Sequence, residues 1–150
     1  MIADHVSVER ILLAGRARGK REVLGELTKL LSDDRPPGPD VILAGLLERE
    51  QVMSTGIGHG IAIPHARLDD IGQVRLALVR YPEGIDFKAL DGKPVYLAFG
   101  VVGPPQGTGL HVKLLARIAR LVKEGSAVEE IMAAATREAV LDVLRRRDPS

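Results

Sequence analysis

Four histidines, at positions 5, 59, 65 and 111, are the side chains of this 150-residue chain that titrate near neutrality without special tuning. The chain has no cysteine, which excludes thiolate catalysis, disulfides and thiolate metal sites. Chemistry at neutral pH therefore falls first to imidazole. His65 directly follows Pro64, after the glycine-rich run Ser54–Gly60 and the short apolar run Ile61–Ile63. Proline fixes its own φ and removes a backbone donor, so the approach to His65 is stiff. The exposed end of a buried strand is also where α/β folds commonly put ligand sites. A neutral imidazole nitrogen there can attack phosphorus if a hydrogen bond holds its other nitrogen and fixes the tautomer. On the pattern alone, a structural histidine at a strand end fits equally well.

His111 falls in the first turn of a long helical pattern, just after Thr108 and Gly109. A helix N-terminus presents free N–H groups and partial positive charge, which favours a nearby anion and disfavours imidazolium. A neutral His111 could donate a hydrogen bond to a phosphoryl oxygen; the alternative is a helix-start histidine packed on its neighbours. Arg49 lies within Glu48-Arg49-Glu50, near a helix end. Its guanidinium can hold two phosphoryl oxygens at once, or simply pair with either glutamate. The segment Gly56-Ile57-Gly58-His59-Gly60 resembles a phosphate cradle only loosely. It has no Gly-Lys-Ser/Thr and no strand–helix context for a dinucleotide, and the chain has no Gly-x-Ser-x-Gly elbow. His59, His65 and His111 could instead be combined as zinc ligands, although their spacing is not a recognised helical pair. His5 belongs to an N-terminus expected to fray and is read as incidental.

Elements to position these residues follow from periodicity. Arg10–Ala14 suits a first strand, and Gly19–Ser32 carries Val23, Leu24, Leu27, Leu30 and Leu31 at helical spacing. After the proline-rich loop 33–39, a second helix is expected from about Asp40 to Glu50 or Gln51. Ser54–Gly60 is expected to be irregular, and Ile61–Ile63 a short buried strand closed by Pro64. Val74–Tyr81 and Pro94–Val102 suit strands, with turn chemistry at Asp91-Gly92 between them. Leu110–Lys123 is the longest helix. Ser126 and Glu129 have the form of a capping box for a further helix, and Thr136 begins a last one to about Arg147. The interleaving implies an α/β sandwich, a mixed β-sheet flanked by helices, formed by one domain over 1–150.

Charge excludes other classes. Arginine and lysine total 21 against 20 acidic residues, so there is no bulk attraction to nucleic acid or an acidic membrane. Aromatics at 3 % leave little for base stacking and require an aliphatic core. The basic clusters Arg16, Arg18, Lys20, Arg21 and Arg145–Arg147 read as solvated faces or a helix C-terminus. No signal segment or run of spanning length is visible, so a cytoplasmic location without membrane insertion is expected.

Taken together, Glu48-Arg49-Glu50, Ser54-Thr55-Gly56-Ile57-Gly58 and Gly60-Ile61-Ala62-Ile63-Pro64-His65 resemble the signature of a known family. It is the type 2 enzyme IIA of the phosphoenolpyruvate-dependent phosphotransferase system, the fructose/mannitol/nitrogen class. Gly84-x-Asp86-Phe87, Asp91-Gly92-x-Pro94 and Thr108-Gly109-Leu110-His111-x-Lys113-Leu114-Leu115 follow in that family's order, so the similarity runs from about residue 8 to 145. The resemblance implies that His65 accepts a phosphoryl group, that His111 is the second active-site histidine, and that Arg49 orients the phosphate. Backbone N–H groups of Ser54, Thr55, Gly56, Gly58 and Gly60 are expected to orient it as well. It further implies an HPr-type phosphocarrier as donor, an enzyme IIB or a regulated protein as acceptor, and no cofactor or metal. One departure is His59, where the family often has asparagine.

Overall fold

Alternation along two long strands decides how the molecule is layered. In the computed structural model, which describes residues 1–105 and 109–148, strand β5 spans Arg75–Ile85 and β6 spans Val95–Gly103. They pair antiparallel, with Leu78 opposite Phe99 and Val79 opposite Ala98. Successive side chains leave a strand on opposite faces. Leu76, Leu78, Leu97, Phe99 and Val101 thus join one buried cluster, while Ala77, Val79, Ala98 and Val102 join another. Helices α1 (Lys20–Leu31) and α2 (Pro39–Val52) cover the second cluster. Helices α3 (Leu110–Lys123), α4 (Gly125–Ala133) and α5 (Arg137–Arg147) cover the first. Both faces are therefore covered, as expected of an α/β sandwich.

Among the described residues the sheet has six strands. They include β1 (Ile11–Leu12), β2 (Gly56–Gly58), β3 (Ile61–Ala62) and β4 (His65–Arg67). The order is β1-β5-β6-β3-β2, with β4 also on β6. β1 runs parallel to β5, and β3 and β4 run parallel to β6, whereas β5–β6 and β2–β3 are antiparallel, so the sheet is mixed.

Four local expectations are corrected. Ser54–Gly60 is not wholly irregular: Gly56–Gly58 forms an edge strand paired with β3. The two-residue turn between them has φ 58° at His59 and 78° at Gly60, the positive pair required by a type I′ hairpin. Histidine, like asparagine, is enriched among non-glycine residues in that region, which accounts for His59 as turn chemistry. His65 is not at the exposed end of the Ile61 strand, which stops at Ala62, but opens a strand of its own. Pro64 has no N–H, so the ladder to β6 is interrupted and resumes with Val101 N donating to the Pro64 carbonyl at 2.9 Å.

The N-terminus is not frayed either. Ile2 is fully buried, and its N–H donates to the Asp148 carboxylate at 2.6 Å, tying the two chain ends together. The Ser126–Glu129 capping box does not form: α4 begins at Gly125, one residue after α3, and has no side-chain cap. The Thr136 cap does form, with its hydroxyl accepting from Ala139 N at 3.0 Å.

Candidate active site

His65 lies half-buried at the start of β4. Its Nδ1 sits 2.8 Å from the Ile63 carbonyl oxygen. A carbonyl only accepts, so Nδ1 carries the proton and Nε2 keeps its lone pair. The backbone bend through Pro64 makes this contact possible two residues apart. Burial is the main cause that holds His65 below its ordinary pKa; the positive charges of Arg49 and Arg67 act in the same direction, against the Ile63 hydrogen bond and Glu50. The neutral, nucleophilic tautomer is thus favoured.

His111 is the second residue of α3 and is buried, with its ring centroid 5.8 Å from that of His65 and the planes tilted by 57°. Gly103, at the end of β6, makes the space. A Cβ there would come within 3.2 Å of His111 Nδ1 and 3.0 Å of Val74 Cγ2. Among the described residues neither ring nitrogen of His111 has a hydrogen-bond partner. Burial, then the neighbouring His65 and Arg67, push its pKa down to about 4. Thr108, part of the motif before His111, lies outside the described residues.

Arg49 enters from α2, whose close approach to β4 depends on Gly45. A Cβ at that position would fall 2.6 Å from Leu68 Cδ2 and 3.2 Å from the Ala66 methyl. Arg49 Nη1 donates to the Met53 carbonyl at the helix C-cap, 2.9 Å away, which steadies the guanidinium. The alternative of a pairing with either glutamate is absent among the described residues. Glu50 is buried and faces the other way, accepting from Thr55 N at 2.9 Å and Thr55 Oγ1 at 2.5 Å and pairing with Lys20 at 3.0 Å.

Arg49, His65 and His111 meet in one cleft of about 490 Å³, with Glu48, Val52 and Arg67 in its walls. The glycine-rich loop does not line it. Thr55 N is taken by Glu50 and Gly56 N by Ser54 Oγ at 3.1 Å, while Gly58 and Gly60 lie beside Asp91 and Tyr96 in a separate depression. The reason is that these residues build a hairpin whose backbone groups are taken up by Glu50, Ser54, Ile63, Leu90 and Tyr96. His59 sits at its tip in that same depression, apart from His65 and His111, so the three do not form a common ligand set. His5 lines an adjoining hollow with Arg67 and His111. Arg67 was missed by the sequence reading; its signal was position, two residues after His65 and hence on the same side of a strand.

The two depressed imidazoles predict a pH effect on stability. In the unfolded chain they take up protons near pH 6.5, whereas folded His111 resists protonation until about pH 4. The unfolded state binds more protons between these values, so this stabilisation is full above pH 6.5 and lost as pH falls toward 4. We expect the His111 share to be on the order of 2 kcal/mol between pH 7.5 and 4.5. Urea midpoints at the two pH values measure it, and a His111→Leu variant should show a distinctly shallower decline. Equal declines in both proteins would remove His111 as the source.

The sequence profile of the EIIA 2 family of the phosphoenolpyruvate-dependent sugar phosphotransferase system matches residues 4–147. The chain belongs to this family. A nitrogen regulatory protein of Bradyrhizobium diazoefficiens is 33 % identical over 143 residues, covering 95 % of this chain and 94 % of that one. A fructose-specific EIIA component of Haloferax volcanii is 39 % identical over 112 residues, 75 % of this chain and 70 % of that one. The crystal structure of the nitrogen regulatory protein IIA-Ntr from Neisseria meningitidis superposes with a TM-score of 0.90 at 31 % identity, covering 95 % and 98 % of the two chains. This EIIA-family chain thus has relatives in both the nitrogen and the sugar branches, and EIIA proteins are phosphoryl carriers. No helix among its described residues is long and apolar enough to cross a membrane.

Proposed function

We propose that this chain is a cytoplasmic phosphohistidine carrier that receives a phosphoryl group on His65 Nε2 from an HPr-type phosphocarrier and passes it to an enzyme IIB. The observation that carries the proposal is the hydrogen bond from His65 Nδ1 to the Ile63 carbonyl, which aims a free Nε2 lone pair beside Arg49 and His111. In the transfer, the Nε2–P bond forms as the P–N bond to the donor imidazole breaks, and the donor nitrogen recovers its electron pair. Such transfers need positioning and charge stabilisation more than covalent help. Arg49 supplies a fork for two phosphoryl oxygens, and neutral His111 supplies an N–H donor.

The test is incubation with phosphoenolpyruvate, enzyme I and HPr, followed by intact mass. One phosphoryl group should be gained, labile in acid and stable in base. Absence of any gain with HPr and with a nitrogen-branch HPr would overturn the proposal. Arg49→Lys should slow the transfer about 10–100-fold, because lysine keeps the charge and loses the planar fork. Unchanged quench-flow rates would reduce Arg49 to a capping residue for α2.

A second reading, favoured by the full-length match to a nitrogen regulatory protein, is that phosphorylation here controls which partner protein is held. Both readings use His65. A sugar permease gene beside this one argues for transport, and a nitrogen-regulation operon for control.

A further inference from the structure

The cleft that holds Arg49 also holds a second guanidinium, one the proposed chemistry does not use. Arg67 is exposed on β4, one alternation beyond His65, with the buried Ala66 between them packed toward α2. It lines the cleft with His65, Arg49 and His111, and it also lines the adjoining hollow that shares His111. Among the described residues no carboxylate pairs with it or with Arg49, so both guanidinium groups of the cleft lack an acidic partner, unlike Arg10, Arg35, Arg75, Arg117, Arg146 and Arg147. An unpaired guanidinium beside a nucleophile is available to an incoming anion.

Resting on the reading of His65 as the phosphoryl acceptor, we infer that Arg67 is a second phosphoryl-binding residue, acting with Arg49 on the transferred group in the cleft they share. A phosphohistidine carries close to two negative charges at neutral pH, and Arg49 alone compensates one. Glu48 is the acidic side chain in the cleft wall and repels the group, while buried Glu50 is occupied by Lys20 and Thr55. Arg67 supplies the missing charge. Its positive charge also disfavours protonation of both His65 and His111, so one residue keeps the nucleophile free and binds the product.

Phosphoramidate separates this role from partner docking, because it donates without a protein surface. In that reaction the Nε2–P bond forms as the P–N bond of phosphoramidate breaks and ammonia leaves. Arg67→Gln should slow phosphorylation about 10-fold or more with phosphoramidate and with phosphorylated HPr alike, and Arg67→Lys should recover much of the loss. Imidazole NMR titration of the Gln variant should show His65 and His111 protonating at higher pH than in wild type. A loss seen only with HPr would make Arg67 a docking contact and overturn the inference, as would wild-type rates with both donors. Failure of the wild-type protein to accept phosphate from either donor would instead sink the His65 reading itself, whatever Arg67 does to the titration.

Discussion

His65→Ala is expected to abolish phosphoryl uptake altogether, leaving the mass of the protein unchanged after incubation with phosphoenolpyruvate, enzyme I and HPr. The other three histidines offer no substitute. His59 lies at a hairpin tip in a different depression, and His5 lines the adjoining hollow that shares His111. His111 is nearest, but it is buried, whereas an incoming donor meets the half-exposed His65 first. The variant should fold, because His65 is half-buried and the one hydrogen bond its ring makes ends on a carbonyl at the cleft edge. That net contribution is about 1 kcal/mol, small beside the stability of a domain of this size. Circular dichroism and a melting curve should match wild type closely. Stoichiometric, acid-labile labelling of the Ala variant would show that another residue is the acceptor.

Removal of the second histidine separates carriage from catalysis. His111→Ala should still be phosphorylated on His65, yet exchange the group with HPr about 10²-fold more slowly in both directions. The basis is a preorganised donor: a neutral imidazole at a helix N-terminus, 5.8 Å from the nucleophile, held ready in a buried site. Loss of one such donor typically costs a factor of about 10²–10³. Because protonation of His111 is held down to about pH 4, its role should persist unchanged from pH 8 to pH 5.5. Stability should fall only by the packing the buried ring gives up, not by broken hydrogen bonds. The ring nitrogens make no hydrogen bond among the described residues, so truncation leaves no partner unsatisfied. A packing role would give the reverse pattern, a lowered Tm with normal quench-flow rates wherever the variant stays folded.

Much of the scaffold was legible because long periodic segments report their own environment. The Leu110–Lys123 helix is found where its spacing places it, and the other helices differ from expectation by a residue or two. Val74–Tyr81 and Pro94–Val102 appear as β5 and β6, with β5 extended to Ile85 through a register shift. Short elements were not legible in the same way. Arg10–Ala14 contracts to Ile11–Leu12, a two-residue strand that exists because β5 offers a parallel partner. Gly56–Gly58 has no strand propensity of its own and is a strand because β3 lies beside it. Ser126 and Glu129 form no capping box because α4 follows α3 after one residue, leaving no extended segment on which to build one.

The same division runs through the site. Residue types alone determined that imidazole and guanidinium would carry any neutral-pH chemistry, and that thiol chemistry could not. The run Gly60–His65 singled out its histidine, and the order of motifs pointed to the family. Only the tertiary structure decided which groups share one space. His65 and His111 are 46 positions apart, and they meet because β4 pairs with the end of β6 at Val101–Gly103, where Gly103 leaves room for the His111 ring. The glycine loop, adjacent to His65 in sequence, turns away because its N–H groups find partners in Glu50 and Ser54. Arg67 was invisible for the converse reason. A single arginine after a histidine carries no pattern, and it becomes informative only once a strand sets its direction and places it in the cleft with His65 and Arg49.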